Sequence, residues 1–319
     1  RMAALRDQRK IHGARISDVS DTNASQTETW SQSSAPSHGT LTFSSATATS
    51  GATDITPGGT LTYTPAAGYA GTDSFIVQVS DGTATATRTI SVTINPIAPG
   101  VPDLSASNDS GSSSTDNTTN SSSLVFSGSG AIASGTVTLF IDKNANGSYD
   151  SGTDLTTTAS VTADTSGNWS GATINASSLT DGSYNVYASV TANSLTKLST
   201  ALAITIDRTA PTAGSITANN ITTSGGTSYS FTVPFTGIDI TTVGTGNLSI
   251  TGPNAFTATV SSATVSGSTA TYTFAPPGNS WDTTDNGTYT IAILANQIKD
   301  LAGNAVAAAA SIKSFTVNI

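Results

Sequence analysis

From Ile16 to the C-terminus the chain is written in short period-two runs, and nearly every run stops at a turn signal. Leu41-Thr42-Phe43, Leu61-Thr62-Tyr63 and Ser74–Val79 alternate apolar with polar side chains, and the last ends at Asp81-Gly82. Period two sends one set of side chains to each face of a strand, and Asp-Gly is a strong hairpin dipeptide. The same pattern recurs at Thr89–Ile94, Thr136–Ile141, Tyr184–Val190, Ala201–Ile206, Ser228–Phe235, Ala270–Phe274, Thr288–Ile293 and Ser314–Ile319. Two proline-bearing stretches interrupt it. Asn95–Pro102 carries Pro96, Pro99 and Pro102, and Asp207–Pro211 marks a second break. Proline fixes φ and withholds an N–H, so such a stretch reads as a stiff linker.

Between the breaks lie blocks with seven or so short strands each, at the spacing of an antiparallel β-sandwich. The expected fold is all-β: three tandem antiparallel β-sandwich domains in an elongated array. Their expected bounds are 16–96, 103–207 and 212–319, preceded by a basic arm at 1–15. Threonine at outward positions suits this reading, because its branched Cβ favours a strand and its hydroxyl tolerates water. Two stretches tolerate helix: Met2–Ile11, for about two turns, and Ala305–Ala310, for one turn at most.

Charge narrows the function classes. The chain has no cysteine, so it has no disulfide framework and no thiol chemistry. Of its 20 acidic residues only Glu28 is not Asp, and Asp favours turns and metal loops where Glu favours helix faces. Five of its 11 Lys and Arg residues, Arg1, Arg6, Arg9, Lys10 and Arg15, fall in the first fifteen positions, leaving a strongly acidic body. Such a surface repels phosphates, which speaks against nucleic acid as a partner. No apolar run reaches the length of a membrane span, and no signal peptide stands at the start. A chain opening on Arg1 reads as a processed product or as part of something longer.

One stretch clusters side-chain oxygens with chemical spacing. In Leu139–Asp154, LFIDKNANGSYDSGTD, Asp142, Asn144 and Asn146 alternate, Gly147 follows, and Ser148, Asp150 and Asp154 come after. This matches the first half of an EF-hand-type loop, whose positions one, three and five supply calcium ligands and whose Gly makes the sharp turn. The second half departs: position twelve is Thr153 rather than Glu, Asp154 arrives one residue late, and strands rather than helices flank the loop. Two readings stand, a calcium site and a polar hairpin loop built from common turn residues.

Pro36–Phe43 (PSHGTLTF), Gly59–Pro65 (GTLTYTP), Gly68–Phe75 (GYAGTDSF) and Val79-Ser80-Asp81-Gly82 together resemble the cadherin-like tandem-repeat domains of large bacterial surface proteins. Pro102–Gly111, with Thr115-Asp116-Asn117 and the closing Ile206–Pro211, looks like the bacterial Ig-like repeats of giant adhesins. Asp285–Thr290 and Asp300–Asn304 resemble another such repeat, with Asp300–Asn304 expected as a tight turn. The resemblance implies an extracellular or cell-surface location. It also implies calcium at domain junctions, for which Asp103, Asp109 and Asp116 are the matching residues, against a solvated Ser/Asp loop as the alternative.

The residues offer no catalytic set. His12 and His38 lie in no metalloprotease or nucleophile-elbow pattern. The first expectation is therefore a non-enzymatic structural or adhesive module, stiffened by calcium, whose partners are neighbouring domains or copies and a host or cell-surface glycan or protein. A second is a self-assembling filament subunit, joined through Arg6, Arg9, Lys10 and Arg15 of the arm or through strand edges. A third is a carbohydrate-binding module that would use Trp30 and Trp281.

Overall fold

The computed structural model describes residues 3–6, 18–66, 68–192 and 194–319, and these are almost entirely strand and turn. Three separate apolar clusters form. Each lies between sheets whose strands alternate buried and exposed positions, as a sandwich requires. The short helices are single 3₁₀ turns, all in the third unit.

In the first unit the strands Thr47–Thr49, Thr27–Ser34, Gly71–Ser80 and Thr85–Ile94 pair in that order. Gly39–Ser44 pairs with Thr60–Pro65, and a third sheet joins Ala3–Arg6, Asp18–Asp21 and Ala52–Ile55. Phe75, Val77 and Val79 fill the core from one strand, Trp30 joins them from the neighbouring strand of the same sheet, and Val19 and Ile55 come from the third sheet. One carboxylate ties the turns together. Asp73 accepts from the Ser37 and His38 N–H groups at 3.0 and 2.9 Å, from Ser74 N–H at 2.8 Å and from the Tyr63 hydroxyl at 2.9 Å. Burial works against its ionisation, but those bonds hold the carboxyl below its ordinary value. Burial and the Asp73 bond push the Tyr63 phenol up to about 12.

The second unit packs Asp103–Leu104, Ser123–Gly128 and Trp169–Asn175 against a larger sheet built on Thr136–Asp142, Gly182–Ala192 and Leu202–Ile206. Phe126, Trp169, Leu139, Ile141 and Val186 meet between them. The third unit stacks two four-stranded sheets over an aromatic core. There Tyr289 stacks on Phe315 at 5.1 Å and meets the Trp281 edge at 5.3 Å. Ring pairs of this kind add to simple area burial.

Several expectations are corrected. Ala3–Arg6 is not helical but a strand, antiparallel to Asp18–Asp21; the rest of the expected arm helix lies outside the described residues. Ala305–Ala310 forms no helix, and its end opens the last strand, Ala309–Val317. Alanine's helix propensity loses there to a ladder with Gly287–Ile293. Pairing is not purely antiparallel: Thr118–Thr119 runs parallel to Leu202–Ile206.

Candidate functional site

The Asp142–Asp154 loop is built by its own carboxylates. Asp142 ends the Thr136–Asp142 strand and is buried. Its Oδ2 accepts from Gly147 N–H at 2.7 Å and its Oδ1 from Asn146 N–H at 3.3 Å. Gly147 holds φ +74°, a region that suits glycine. Asp154, also buried, accepts from Lys143 N–H at 2.9 Å and Asp150 N–H at 2.7 Å. Asp150 stands outside this frame and gathers the Asn144 and Asn146 amides at 2.7 and 2.5 Å. Those two bonds hold its carboxyl below the ordinary range. The Asn146 side-chain oxygen accepts from Ser148 N–H.

The structure thus brings Asp142, Asn144, Asn146, Asp150 and Asp154 into one loop, with Ser148 joining through its backbone. The donor set is entirely hard oxygen, which fits calcium in kind. Each Asp142 and Asp154 oxygen already holds one N–H and keeps a second lone pair. Among the described residues, no group of three or more His, Cys, Asp or Glu side chains is placed to hold a metal.

The junction residues separate. Asp103 is exposed and pairs with Ser127, close to the linker bond from Gly100 N–H to the Ser129 carbonyl. Asp109 and Asp116 lie at the opposite end, beside the third unit. Asp109 accepts from Asn117 N–H at 3.1 Å, while its buried Oδ1 has no partner. Burial, and to a lesser extent the neighbouring Asp116 carboxyl, raise the Asp109 pKa. Of the arm residues, Arg6 belongs to the Ala3–Arg6 strand; Arg9, Lys10 and Arg15 lie outside the described residues. Trp30 and Trp281 are 3% and 2% exposed, so neither offers a sugar platform: both are core. His38 stacks on Tyr69 at 4.0 Å and serves the Asp73 turn through its N–H.

The second-to-third joint is a hydrogen-bonded surface that strand patterns do not announce. The Ser110 hydroxyl donates to the Ala302 carbonyl at 2.5 Å and accepts from Asn120 N–H at 3.0 Å. The Asn120 amide donates to Asn304 Oδ1 at 3.1 Å, and the Asn304 amide donates to the Asp207 carbonyl at 2.9 Å. Asn304 is itself held by the expected Asp300 turn. Gly111 has φ +97°, and a Cβ there would fall 1.8 Å from the Leu301 carbonyl oxygen. Arg208 clamps the end of the second unit, donating to the Leu179, Ser121 and Ala176 carbonyls at 2.8, 2.9 and 3.1 Å. Across the joint, Ser112 lies near enough to the Asp239 carboxyl to lower its pKa, yet the buried Oδ2 makes no well-aligned bond. A usable hint was the Asp300–Asn304 turn, whose Asn304 had no strand to serve.

A family model described as a bacterial Ig-like domain matches residues 93–208, and one described as a bacterial Ig domain matches residues 13–93. No curated protein matches the chain. Among solved structures, a tetra-tandem repeat in the extending region of a large adhesion protein is similar at 16% identity. That match covers 94% of this chain and 68% of that one, with a TM-score of 0.31. The Escherichia coli adhesin FdeC is similar at 15% identity over 95% of this chain and 88% of that one, TM-score 0.37. The FN1–FN3 domains of chicken CNTN1 are similar at 11% identity over 100% and 97%, TM-score 0.29.

Proposed function

We propose that this chain, in which residues 13–208 are two bacterial Ig-like domains followed by a third β-sandwich, is a structural spacer of a bacterial surface adhesin. Its task is to hold a binding region away from the cell, and its own chemistry is non-enzymatic. The observation that carries this reading is the joint through Ser110, Asn120, Asn304 and Asp207. Directional bonds from side chains to backbone fix the angle between domains, which a spacer needs and an isolated binding module does not. Small-angle scattering of the full chain is expected to report an extended particle whose second and third domains keep one relative orientation. A freely jointed second and third domain would refute the reading.

Calcium belongs to the proposal as a stiffener. Asp142, Asn144, Asn146, Asp150 and Asp154 would hold it, with Ser148 contributing its backbone carbonyl. The ion would supply positive charge that cancels carboxylate repulsion and fixes the loop. Asp109 and Asp116 form a second, weaker pair at the joint. Chelation is expected to lower the melting temperature of the second domain, and an unchanged curve in EDTA would remove calcium from the account.

The Ala3–Arg6 strand favours one variant of assembly. It pairs with Asp18–Asp21 of its own chain at a sheet edge, a seat that the same strand of a neighbouring copy would fit. Deleting residues 1–15 tests this: polymers that persist without the arm would exclude it.

A further inference from the structure

Glu28 is the one glutamate of the chain, and it occupies a core position. Along Thr27–Ser34 the buried positions are Glu28 and Trp30, at 0% and 3% exposure, and period-two alternation puts Gln26 on the same face. Neither Glu28 oxygen has a hydrogen-bond partner. Its carboxyl lies within hydrogen-bond reach of the Asp21 carboxyl, which is 1% exposed and whose Oδ2 is likewise without a partner. Gln26 adds a third orphan. Its Oε1 is buried and unbonded, while its Nε2 turns toward Asp81 Oδ2 at 3.5 Å. Four buried acceptor atoms on three neighbouring side chains therefore have no donor between them. Burial, the Asp21 carboxyl and the Asp81 charge all push the Glu28 carboxyl up, to about 7.

We infer that Asp21, Glu28 and the Gln26 side-chain oxygen form a binding site for a hard divalent cation of the calcium class at one end of the first domain. The chemistry is that of an acceptor-only shell. Orphaned buried oxygens are costly, and a hard cation satisfies several at once where a single hydrogen bond satisfies one. Two carboxylates would neutralise a divalent charge, and water would complete a shell that needs six to eight oxygens. An ion here would pin the Asp18–Asp21 strand to Thr27–Ser34 and thereby tie the third sheet of the first domain to its main sheet. The site is separate from the Asp142–Asp154 loop proposed above and stands without it.

Trp30 supplies a built-in reporter. It sits two residues from Glu28 on the same face, about 7 Å along the strand, close enough to sensitise terbium bound at the carboxylates. In the full-length chain, excitation of tryptophan is expected to give terbium emission that calcium displaces. The signal should survive D150N, which disables the other loop, and vanish in E28Q, D21N and W30F. Glu28→Leu, which restores an apolar core position, is expected to fold and to show no emission. Emission that persists in E28Q or Glu28→Leu, or that disappears in D150N, overturns the assignment. So does a first domain whose melting temperature ignores calcium at neutral pH but rises on acidification, since a shared proton would then neutralise the pair. If D150N instead leaves the calcium response of the second domain unchanged, the loop reading fails and this one stands.

Discussion

The two joints of the molecule are built from different forces. Between the first and second domains runs Asn95–Pro102, whose Gly100 N–H bonds to the Ser129 carbonyl at 2.8 Å. Beside it lies a groove of about 390 Å³ lined largely by apolar groups, including Tyr69, Ala70, Ile97, Ile132 and Ala133. Ile97 is 73% exposed. Between the second and third domains the contacts are polar and directional, and Gly111 admits the Leu301 carbonyl where no side chain would fit. Apolar contact is non-directional and tolerates sliding, whereas a hydrogen bond weakens steeply off its axis. On the proposed spacer reading, the first joint would adjust within the limits of its prolines and the second would hold one angle.

The sharpest way to break this contrast is Gly111→Val. It forces a branched side chain into φ +97° and into the Leu301 carbonyl. A cost of about 3 kcal/mol is expected at the joint. Calorimetry should then show the second and third domains melting independently, with a larger radius of gyration. Asn304→Ala comes next. It removes the bonds to Asn120, Asp207 and Asp300 at the joint, worth about 2–3 kcal/mol together if each contributes about 1. The same readout applies, and an unchanged coupled transition would mean that the polar joint does not set the angle.

Acid sharpens the comparison from the other side. The Asp73 carboxyl is held below its ordinary value, so its stabilisation is present above the unfolded pKa near 3.8 and is lost as pH falls through the lower folded value. Its bonds hold His38, which stacks on groove residue Tyr69. The first domain is therefore expected to lose stability below about pH 4, and D73N should flatten that dependence while lowering stability at neutral pH. Urea melts followed by Trp30 fluorescence check both. The smallest effect is expected from Ile97→Ser in the linker, which should shift melting by no more than about 0.5 kcal/mol, because Ile97 is exposed.

Much of this architecture was legible in one dimension. Alternation at Ser74–Val79, Thr136–Ile141 and Ala270–Phe274 located strands that the structure contains, and Asp81-Gly82 marked a turn held by Asp81 Oδ1. Thr27–Ser34 escaped notice because its inward residues include a glutamate, so its apolar signal is a lone Trp30. Trp169–Asn175 carries no clean period-two signal, since a register shift opposite Phe126 and Ser127 breaks its alternation. The loop residues Asp142 to Asp154 were legible because their spacing is local.

By itself the sequence determined most of the strands, the main turns and that separate cores form in series. Those features rest on side-chain periodicity and turn chemistry within a few residues. Only the tertiary structure decided that Ser110 meets Ala302, that Asn304 reaches Asp207, and that Glu28 faces Asp21 without a donor. Such meetings depend on how whole sheets stack and how consecutive domains abut, and no local pattern encodes the partner of a residue 192 positions away.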